Sequence, residues 1–297
     1  EMKTWDEFYD AYMTQHMSFL KHAFIQQHTI NTLREKHFAW PLGTLLNDTA
    51  MEAELDLHTT HIPGGIDLGY FELMGYGTLV DSLCVIKKLV YEDKKVTMDT
   101  LISAMENNFE NNDVLLKMIQ NAPKFGTNNA YADEIAKEID KTCLEFTRKY
   151  SKELGVHLDL RLVPFTSHVP FGKVVSATPN GRKEYTPLSD GASASQGCDA
   201  QGPTAVLASN YNSKNYDYRE RASRLLNIKF SPATMSGEEG TEKLVDFIKT
   251  WCDLKLWHIQ FNVLNQATLL AAKEDPEKYK GLIVRIAGYS AYFTDLS

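Results

Sequence analysis

The sequence has few of the features that mark secreted, membrane or nucleic-acid-binding proteins. It contains four cysteines in 297 residues and no CxxC pair, so a disulfide framework is not expected and a reducing cytoplasm fits better. No apolar run reaches the length of a membrane helix, and no signal-peptide pattern opens the chain. The net charge of −8 argues against binding to nucleic acid. We therefore expect an acidic cytoplasmic protein without a membrane or nucleic-acid partner.

The cysteines themselves give little sign of reactivity. Cys84 and Cys143 lie in helical patterns among apolar neighbours, so we expect both to be buried and inert, and Cys252 to be similar. Cys198 stands in the glycine-rich stretch SQGCDAQGPT and is the one whose surroundings resemble a site. Even there, a small packed residue is the better interpretation.

The first half of the chain carries helical patterns, and the second half mixes strands with helices. Hydrophobic residues make up 43% of the sequence, enough for a large core in one or two domains. The segments WDEFYDAYMTQHMSFLKHAF, TLVDSLCVIKKLVYEDKKV, TMDTLISAMENNF and NAYADEIAKEIDKTCLEFTRKYSKEL predict helices, and Thr97 and Asn265 are expected helix caps. After Gly155, HLDLRLVPF, WHIQFNVL and LIVRIAGYSAYF predict strands, with a polar loop over roughly 166 to 224. This alternation predicts an α/β fold.

Three local motifs are too weak to define a site. His58 and His61 are three residues apart, but nothing nearby completes a metal-ligand set, so two polar loop histidines are the better interpretation. The PNGR stretch that ends at Arg182 indicates a turn, and GPT lacks the lysine of a phosphate-binding loop. No metal site, nucleophile elbow or dinucleotide fingerprint is predicted.

Gly288 interrupts the apolar and aromatic run VRIAGYSAYF. A glycine inside a strand pattern usually marks a bulge, a bend or a close backbone approach. A second interpretation is chemical. A radical on a peptide Cα must be nearly planar to delocalise over the flanking amides, and glycine alone has no Cβ in the way.

A resemblance favours the chemical interpretation. VRIAGYSAYF resembles the C-terminal signature of glycyl radical enzymes. The blocks HVPFGKVVSATPNGRKEYTPLSDGASASQGCDAQGPTA, RLLNIKFSP, WHIQFNVLNQATLLAAKEDPEKYKG and GGIDLGYFELMGYGTLVDSLCVIKKLVYEDKKVT are similar to those of the dehydratase and lyase branch, in the same order. The resemblance covers most of the chain and implies that Gly288 stores the radical.

The resemblance also implies a fold and a set of partners. We expect the C-terminal part of the ten-stranded α/β barrel of these enzymes. Residues 1–155 would be its mostly helical part, and residues 156–297 the glycine radical region with barrel strands and the radical loop. Gly288 should lie between two short extended segments and away from solvent, and the strands near 157–165 and 257–263 should belong to one sheet beside the glycine loop. The resemblance further implies no bound cofactor, a separate radical S-adenosylmethionine activase with an iron–sulfur cluster, and a homodimer.

The second residue that the family requires is not found. Its radical-bearing cysteine usually stands in a Gly-Cys-x-Glu loop, and none of the four cysteines here has both the glycine and the glutamate of that motif. The chain starts at Glu1 and runs nine residues past Gly288. We therefore expect it to be part of a longer enzyme and inactive by itself. A non-catalytic glycyl radical spare part, which docks onto a damaged enzyme, is a further alternative.

The predicted strand HLDLRLVPFTSHVPFG carries the candidate substrate-binding residues. A guanidinium at Arg161, with Phe165 four residues on, would suit a compact anion, although pairing of Arg161 with Asp159 is an equally good interpretation from spacing alone. RLVPF and SHVPFG, with RASRLLNIKF and LKLWHIQFN, resemble the sulfonate carbon–sulfur lyases of the family. This resemblance implies that Arg161 and Phe165 contact the substrate and that isethionate is cleaved to acetaldehyde and sulfite. A dihydroxypropanesulfonate lyase, a diol dehydratase and a choline trimethylamine-lyase remain alternatives.

Overall fold

The computed structural model describes residues 2–59, 70–163, 165–214, 224–286 and 288–296. The chain divides into two compact units. One is formed by Glu1–Phe71 and Lys141–Arg161, and the other by Glu72–Asp140 and Leu162–Ser297.

Helices dominate both units. In chain order the helices are α1 (Trp5–His37), α2 (Pro41–Leu45), α3 (Asp48–Glu52), α4 (Tyr76–Val85), α5 (Met98–Glu106), α6 (Asp113–Gln120), α7 (Ala130–Leu154), α8 (His168–Val174), α9 (Pro203–Ser213), α10 (Gly237–Asp253) and α11 (Gln266–Glu274). The strands are β1 (Tyr70–Glu72), β2 (Asp159–Arg161), β3 (Asn227–Phe230), β4 (Gln260–Val263), β5 (Ile283–Ile286) and β6 (Tyr289–Tyr292).

Local sequence signals fix several helix starts. Thr4 and Glu7 form a reciprocal capping box at the start of α1. The side chains of Thr97 and Asn265 accept hydrogen bonds from the backbone N–H three residues on, at the starts of α5 and α11. Both caps were predicted, because a short polar side chain before an apolar helical pattern satisfies an otherwise unpaired N–H.

The first unit has an aromatic core built on α1. Phe24 is fully buried, with its ring centroid 4.7 Å from that of Phe71 and 6.2 Å from that of Phe146. In the same unit Cys143 is buried, as predicted. Its sulfur lies 3.7 Å from Nε2 of His16.

In the second unit, α4 is buried almost throughout and continues as a π-helix over Ile86–Glu92. The sequence predicted one amphipathic helix here. The structure instead buries α4 on most sides, because α4 has neighbours on most of its surface. Tyr76 donates from its hydroxyl to the carbonyl oxygen of Ala136 at 2.8 Å and packs edge-on against Phe125. Cys84 is buried, as predicted. Cys252 is exposed near the end of α10, so the prediction of burial was wrong there.

The strands form three two-stranded sheets. β1 pairs with β2, β3 pairs in parallel with β4, and β5 pairs with β6 as an antiparallel hairpin. Phe230 on β3 packs edge-on against the buried Phe247 of α10, with ring centroids 5.5 Å apart. This contact belongs to the apolar cluster that fixes β3 and β4 under α10.

Two strand expectations need correction. The strand predicted from HLDLRLVPF ends at Arg161, and among the described residues it does not share a sheet with β4. Instead Leu162 forms a parallel bridge with Arg224, and the backbone N–H of Leu225 donates to the Leu162 carbonyl. Residues 224 and 225, which precede β3, therefore lie beside Leu162. β4 pairs with β3.

The polar stretch predicted as a loop over 166 to 224 contains α8 and α9. Between these helices, the Arg182 guanidinium acts as an internal tie. Its nitrogens donate to five backbone carbonyls at 2.5 to 3.4 Å, those of Gly172, Val175, Ser176, Lys183 and Thr186. One side chain thus satisfies the carbonyls that irregular backbone leaves unpaired, which accounts for the order of this stretch.

Two kinds of feature are absent from the described residues. None of the helices among them is long and apolar enough to cross a membrane. No group of three or more histidine, cysteine, aspartate or glutamate side chains within the described ranges is placed to hold a metal ion.

Candidate active site

A cavity of about 510 Å³ opens in the second unit beside the β5–β6 hairpin. Its wall comes from the turn before α8, the loop that leads to α9, and strands β3, β4 and β5. Representative lining residues are Phe165, Asp190, Asn227, Gln260 and Arg285. The lining is mostly polar, with an apolar contribution from residues such as Phe165 and Ile228, so it is more polar than the usual small-molecule pocket.

Gly288 lies in the turn of the hairpin that borders this cavity. The register pairs Ile286 with Tyr289, and Gly288 has φ +83°. The predicted loop between two extended segments is therefore confirmed. This backbone favours glycine, since an L-residue is strained at such φ. Space is not limiting, because no described heavy atom beyond the chain neighbours lies within 4 Å of an added Cβ.

The expectation that Gly288 is shielded from solvent was wrong for this chain, where the residue is exposed. The reason is the shape of the hairpin. Apart from its chain neighbours, the described part of the chain places no heavy atom within 4 Å of the position that a Cβ on Gly288 would take, so this side of the turn is open.

The hairpin is attached to β4 through side-chain amides. Gln260 is 6% exposed, and its Oε1 accepts a hydrogen bond from the Gly288 N–H at 3.1 Å. Two residues along the same strand, Asn262 donates from Nδ2 to the Arg285 carbonyl and accepts from the Arg285 N–H through Oδ1, both at 2.9 Å. Gln260 and Asn262 share one face of β4, because side chains alternate along a strand.

Behind Gln260 the hydrogen bonds continue into the unit. Gln260 Nε2 donates to Asn227 Oδ1 at 2.9 Å, and Asn227 Nδ2 donates to Asp190 Oδ2. Ser193 donates to the same carboxylate oxygen at 3.2 Å and accepts from the Asn227 backbone N–H. A continuous chain of hydrogen bonds therefore runs from Asp190 to the amide of Gly288.

Phe165 lies in a turn before α8, not on the predicted strand. It lines the cavity, its side chain is 52% exposed, and its φ is +49°. A bulky non-glycine residue in the left-handed region costs about 1 kcal/mol or more, and such residues cluster at functional sites.

Arg161 lies in the first unit and forms the ion pair with Asp159 that the sequence left open. Nε donates to Asp159 Oδ2 at 3.1 Å, and the two side chains are 31% and 10% exposed. The pair is thus partly shielded from water and does not lie in open solvent.

Several residues at the cavity carried no usable sequence signal. His168 lines it, and its Nδ1 is buried with no hydrogen-bond partner among the described residues. Gln260, Asn227 and Asp190 were also missed, since each acts through a neighbour far away in the sequence.

The other candidate residues have structural surroundings. His58 Nδ1 lies 2.6 Å from the carbonyl oxygen of Phe38, while His61 lies outside the described residues. Cys198 lines a second cavity of about 820 Å³, and burial raises the pKa of its thiol, which opposes formation of a reactive thiolate.

Asp81 is a buried carboxyl group next to Ser195, which lines both cavities. It accepts from the Phe125 backbone N–H at 2.7 Å and from the Ser195 hydroxyl at 2.5 Å. Burial, partly offset by Lys124 and these hydrogen bonds, raises its pKa from 3.8 to about 6. The folded protein therefore holds a proton at pH values where the unfolded chain has lost it.

We expect stability to fall as pH rises from about 4 to 6, because the folded state binds more protons in this window. Replacing Asp81 with asparagine should remove this pH dependence. The change in unfolding free energy that is lost is on the order of 1–3 kcal/mol between about pH 4 and 7. Urea unfolding of both proteins across this range measures it, with the exposed Asp246→Asn as matched control. Parallel curves for wild type and Asp81→Asn would contradict the assignment.

Comparison with known proteins identifies the family. A model described as pyruvate formate lyase-like matches residues 1–172, and a model described as glycine radical matches residues 188–294. The chain belongs to the pyruvate formate lyase-like family of glycyl radical enzymes. The predicted family is thereby confirmed.

Named relatives of this glycyl radical enzyme chain include isethionate sulfite-lyases. That of Oleidesulfovibrio alaskensis is 64% identical over 99% of this chain, and that of Bilophila wadsworthia is 57% identical over 100%. The chain spans 36% of the length of each.

Solved structures give the same picture of the fold. Hydroxyproline dehydratase from Clostridioides difficile matches with a TM-score of 0.90 at 33% identity, and the B12-independent glycerol dehydratase from Clostridium butyricum with 0.89 at 34%. Each match covers all of this chain and 37% of the other. The expected α/β fold of the glycyl radical enzyme barrel is confirmed.

Proposed function

We propose that this chain is part of a glycyl radical carbon–sulfur lyase that cleaves isethionate to acetaldehyde and sulfite, with Gly288 as the radical store. The observation that carries the proposal is the position of Gly288 in a hairpin turn beside the cavity, with its amide held by Gln260. Identity of 57–64% to isethionate sulfite-lyases, against 33–34% to the dehydratases, favours the sulfonate substrate.

In the proposed reaction the Gly288 radical takes a hydrogen atom from a cysteine thiol supplied by the rest of the enzyme. The thiyl radical then takes hydrogen from the hydroxyl-bearing carbon of isethionate. The carbon–sulfur bond at the next carbon breaks homolytically, leaving the enol of acetaldehyde and a sulfite radical. The sulfite radical takes the hydrogen atom back from the thiol, which regenerates the thiyl radical, and the enol rearranges to acetaldehyde. The thiyl radical then takes a hydrogen atom from Gly288, which restores the stored radical. Atoms and electrons balance without an external reductant.

Arg161 and Phe165 are the proposed substrate-binding residues. A guanidinium offers a planar fork of donors to sulfonate oxygens. The carboxylate of Asp159, 3.1 Å from Arg161 Nε, would fix the orientation of that fork. Phe165 presents an aromatic surface at the cavity wall, where a two-carbon chain needs apolar contact.

The proposal also covers the remainder of the enzyme and its partners. Residues 1–155 would belong to the barrel and residues 156–297 to the glycine radical region. The remaining length of the enzyme would cover the exposed Gly288 and supply the cysteine loop. A separate activase that uses S-adenosylmethionine and an iron–sulfur cluster would install the radical, and the enzyme would act as a cytoplasmic homodimer in an anaerobe.

A substrate panel tests the proposed function. We expect the activated full-length enzyme to release sulfite and acetaldehyde from isethionate, and little product from dihydroxypropanesulfonate, choline or 1,2-propanediol. Turnover of choline or propanediol without sulfite release from isethionate would contradict the sulfonate assignment and leave the radical assignment intact. A full-length gene without a Gly-Cys-x-Glu loop would instead support the spare part.

A further inference from the structure

We infer that Gln260 is a positioning residue for Gly288, and that Asn227 and Asp190 set the direction in which its amide points. The inference rests on the proposed function of Gly288. Its evidence is the chain of hydrogen bonds that ends on the Gly288 N–H.

The direction of this chain follows from donors and acceptors. A carboxylate has no N–H, so Asp190 can only accept, and Asn227 must turn its Nδ2 towards it. Asn227 then presents Oδ1 to Gln260, which must answer with Nε2. The remaining atom of the Gln260 amide, Oε1, therefore faces the glycine N–H, the one orientation in which a hydrogen bond forms.

This contact acts on the group that carries the proposed radical. A glycyl radical is stabilised when the Cα is coplanar with both flanking amides. Fixing the N–H of Gly288 fixes the plane of the preceding peptide bond. Gln260 is buried and held by Asn227, whereas Gly288 is exposed. The fixed side chain of Gln260 therefore constrains the exposed turn.

Reversing the direction of the hydrogen bonds between Asp190 and Gln260 tests the inference. Gln260→Leu removes the acceptor. Gln260→Glu keeps an acceptor for Gly288 but sets a carboxylate against Asn227 Oδ1, and Asn227 cannot flip without facing the carboxylate of Asp190. The double variant Gln260→Glu/Asp190→Asn reverses donor and acceptor in the two hydrogen bonds through Asn227 and restores a complete chain with the net charge unchanged, provided that the Ser193 hydroxyl, which donates to Asp190 Oδ2, turns to accept. Gln266→Leu, on an exposed residue at the start of α11, is the matched control.

The first measurement is amide hydrogen exchange of Gly288, followed by NMR in the non-activated full-length enzyme. Loss of one hydrogen bond should speed exchange roughly three- to tenfold in Gln260→Leu. Exchange should be less affected in Gln260→Glu, return towards wild type in the double variant, and stay unchanged in Gln266→Leu. Wild-type exchange in Gln260→Leu, or a double variant no better than Gln260→Glu, would overturn the inference.

The second measurement follows the lifetime of the radical by electron paramagnetic resonance in the activated full-length enzyme. We expect a roughly three- to tenfold shorter lifetime in Gln260→Leu, with recovery in the double variant. Equal lifetimes in wild type and Gln260→Leu would overturn the role in radical positioning. Absence of any signal in the wild-type enzyme would instead overturn the proposed function, which the exchange experiment does not require.

Discussion

Replacement of Gly288 by alanine is expected to abolish both the radical and turnover in the full-length enzyme. The added methyl group hinders the planar geometry of a Cα radical and the approach of the abstracting group. Wild-type enzyme should give a doublet in electron paramagnetic resonance, from the single remaining Cα hydrogen, and oxygen should cleave the chain near residue 288. The Gly288→Ala enzyme should show neither.

Loss of folding does not explain this expected result. Among the described residues an alanine Cβ meets no neighbour within 4 Å beyond the adjoining residues, so within this chain the effect on stability comes from the positive φ and should be about 1 kcal/mol. Gly237→Ala is a matched control, because Gly237 has φ +71° and equally open surroundings at the start of α10. It should lose similar stability and keep the radical. A Gly288→Ala enzyme with the doublet and full activity would refute the assignment.

Replacement of Arg161 by alanine is expected to lower kcat/KM for isethionate by at least about tenfold, since one charge-assisted hydrogen bond to a desolvated anion exceeds 1.4 kcal/mol. Arg161→Lys should recover little, because an ammonium group cannot match the planar fork. The radical yield at Gly288 should be unchanged. Steady-state kinetics with spin quantification measures both.

The ion pair with Asp159 makes the control for this experiment essential. Removal of Arg161 leaves a carboxylate that is 10% exposed without this partner, which affects stability as well. Arg34→Ala, at the last turn of α1, serves as the matched control for loss of a positive charge in the same unit. If Arg161→Ala lowers the radical yield and the unfolding free energy while kcat/KM per radical stays constant, the residue is structural.

Helices were predicted well because their signals are local. Thr97 and Asn265 each bond to a backbone N–H three residues away, so the sequence around them contains the whole interaction. The assignment of Gly288 to a turn between strands succeeded for the same reason.

Contacts between distant segments could not be predicted in this way. Gln260 and Gly288 are 28 residues apart, and Asn227 and Asp190 are 37 apart. The strand predicted through Phe165 ended early because Leu162 pairs with Arg224, a partner that no local pattern indicates. The ordered backbone around Arg182 likewise depends on hydrogen bonds from its guanidinium to carbonyls that only the folded chain brings within reach.

The backbone of Phe165 bears on what its replacement by glycine would do. At φ +49° a glycine would adopt the same turn without the strain of a side chain, but it would also raise the conformational entropy of the unfolded chain. The chain has a large aromatic ring here that is half exposed at the cavity wall. Replacement by glycine therefore relieves strain in the turn and at the same time removes the aromatic surface from the cavity.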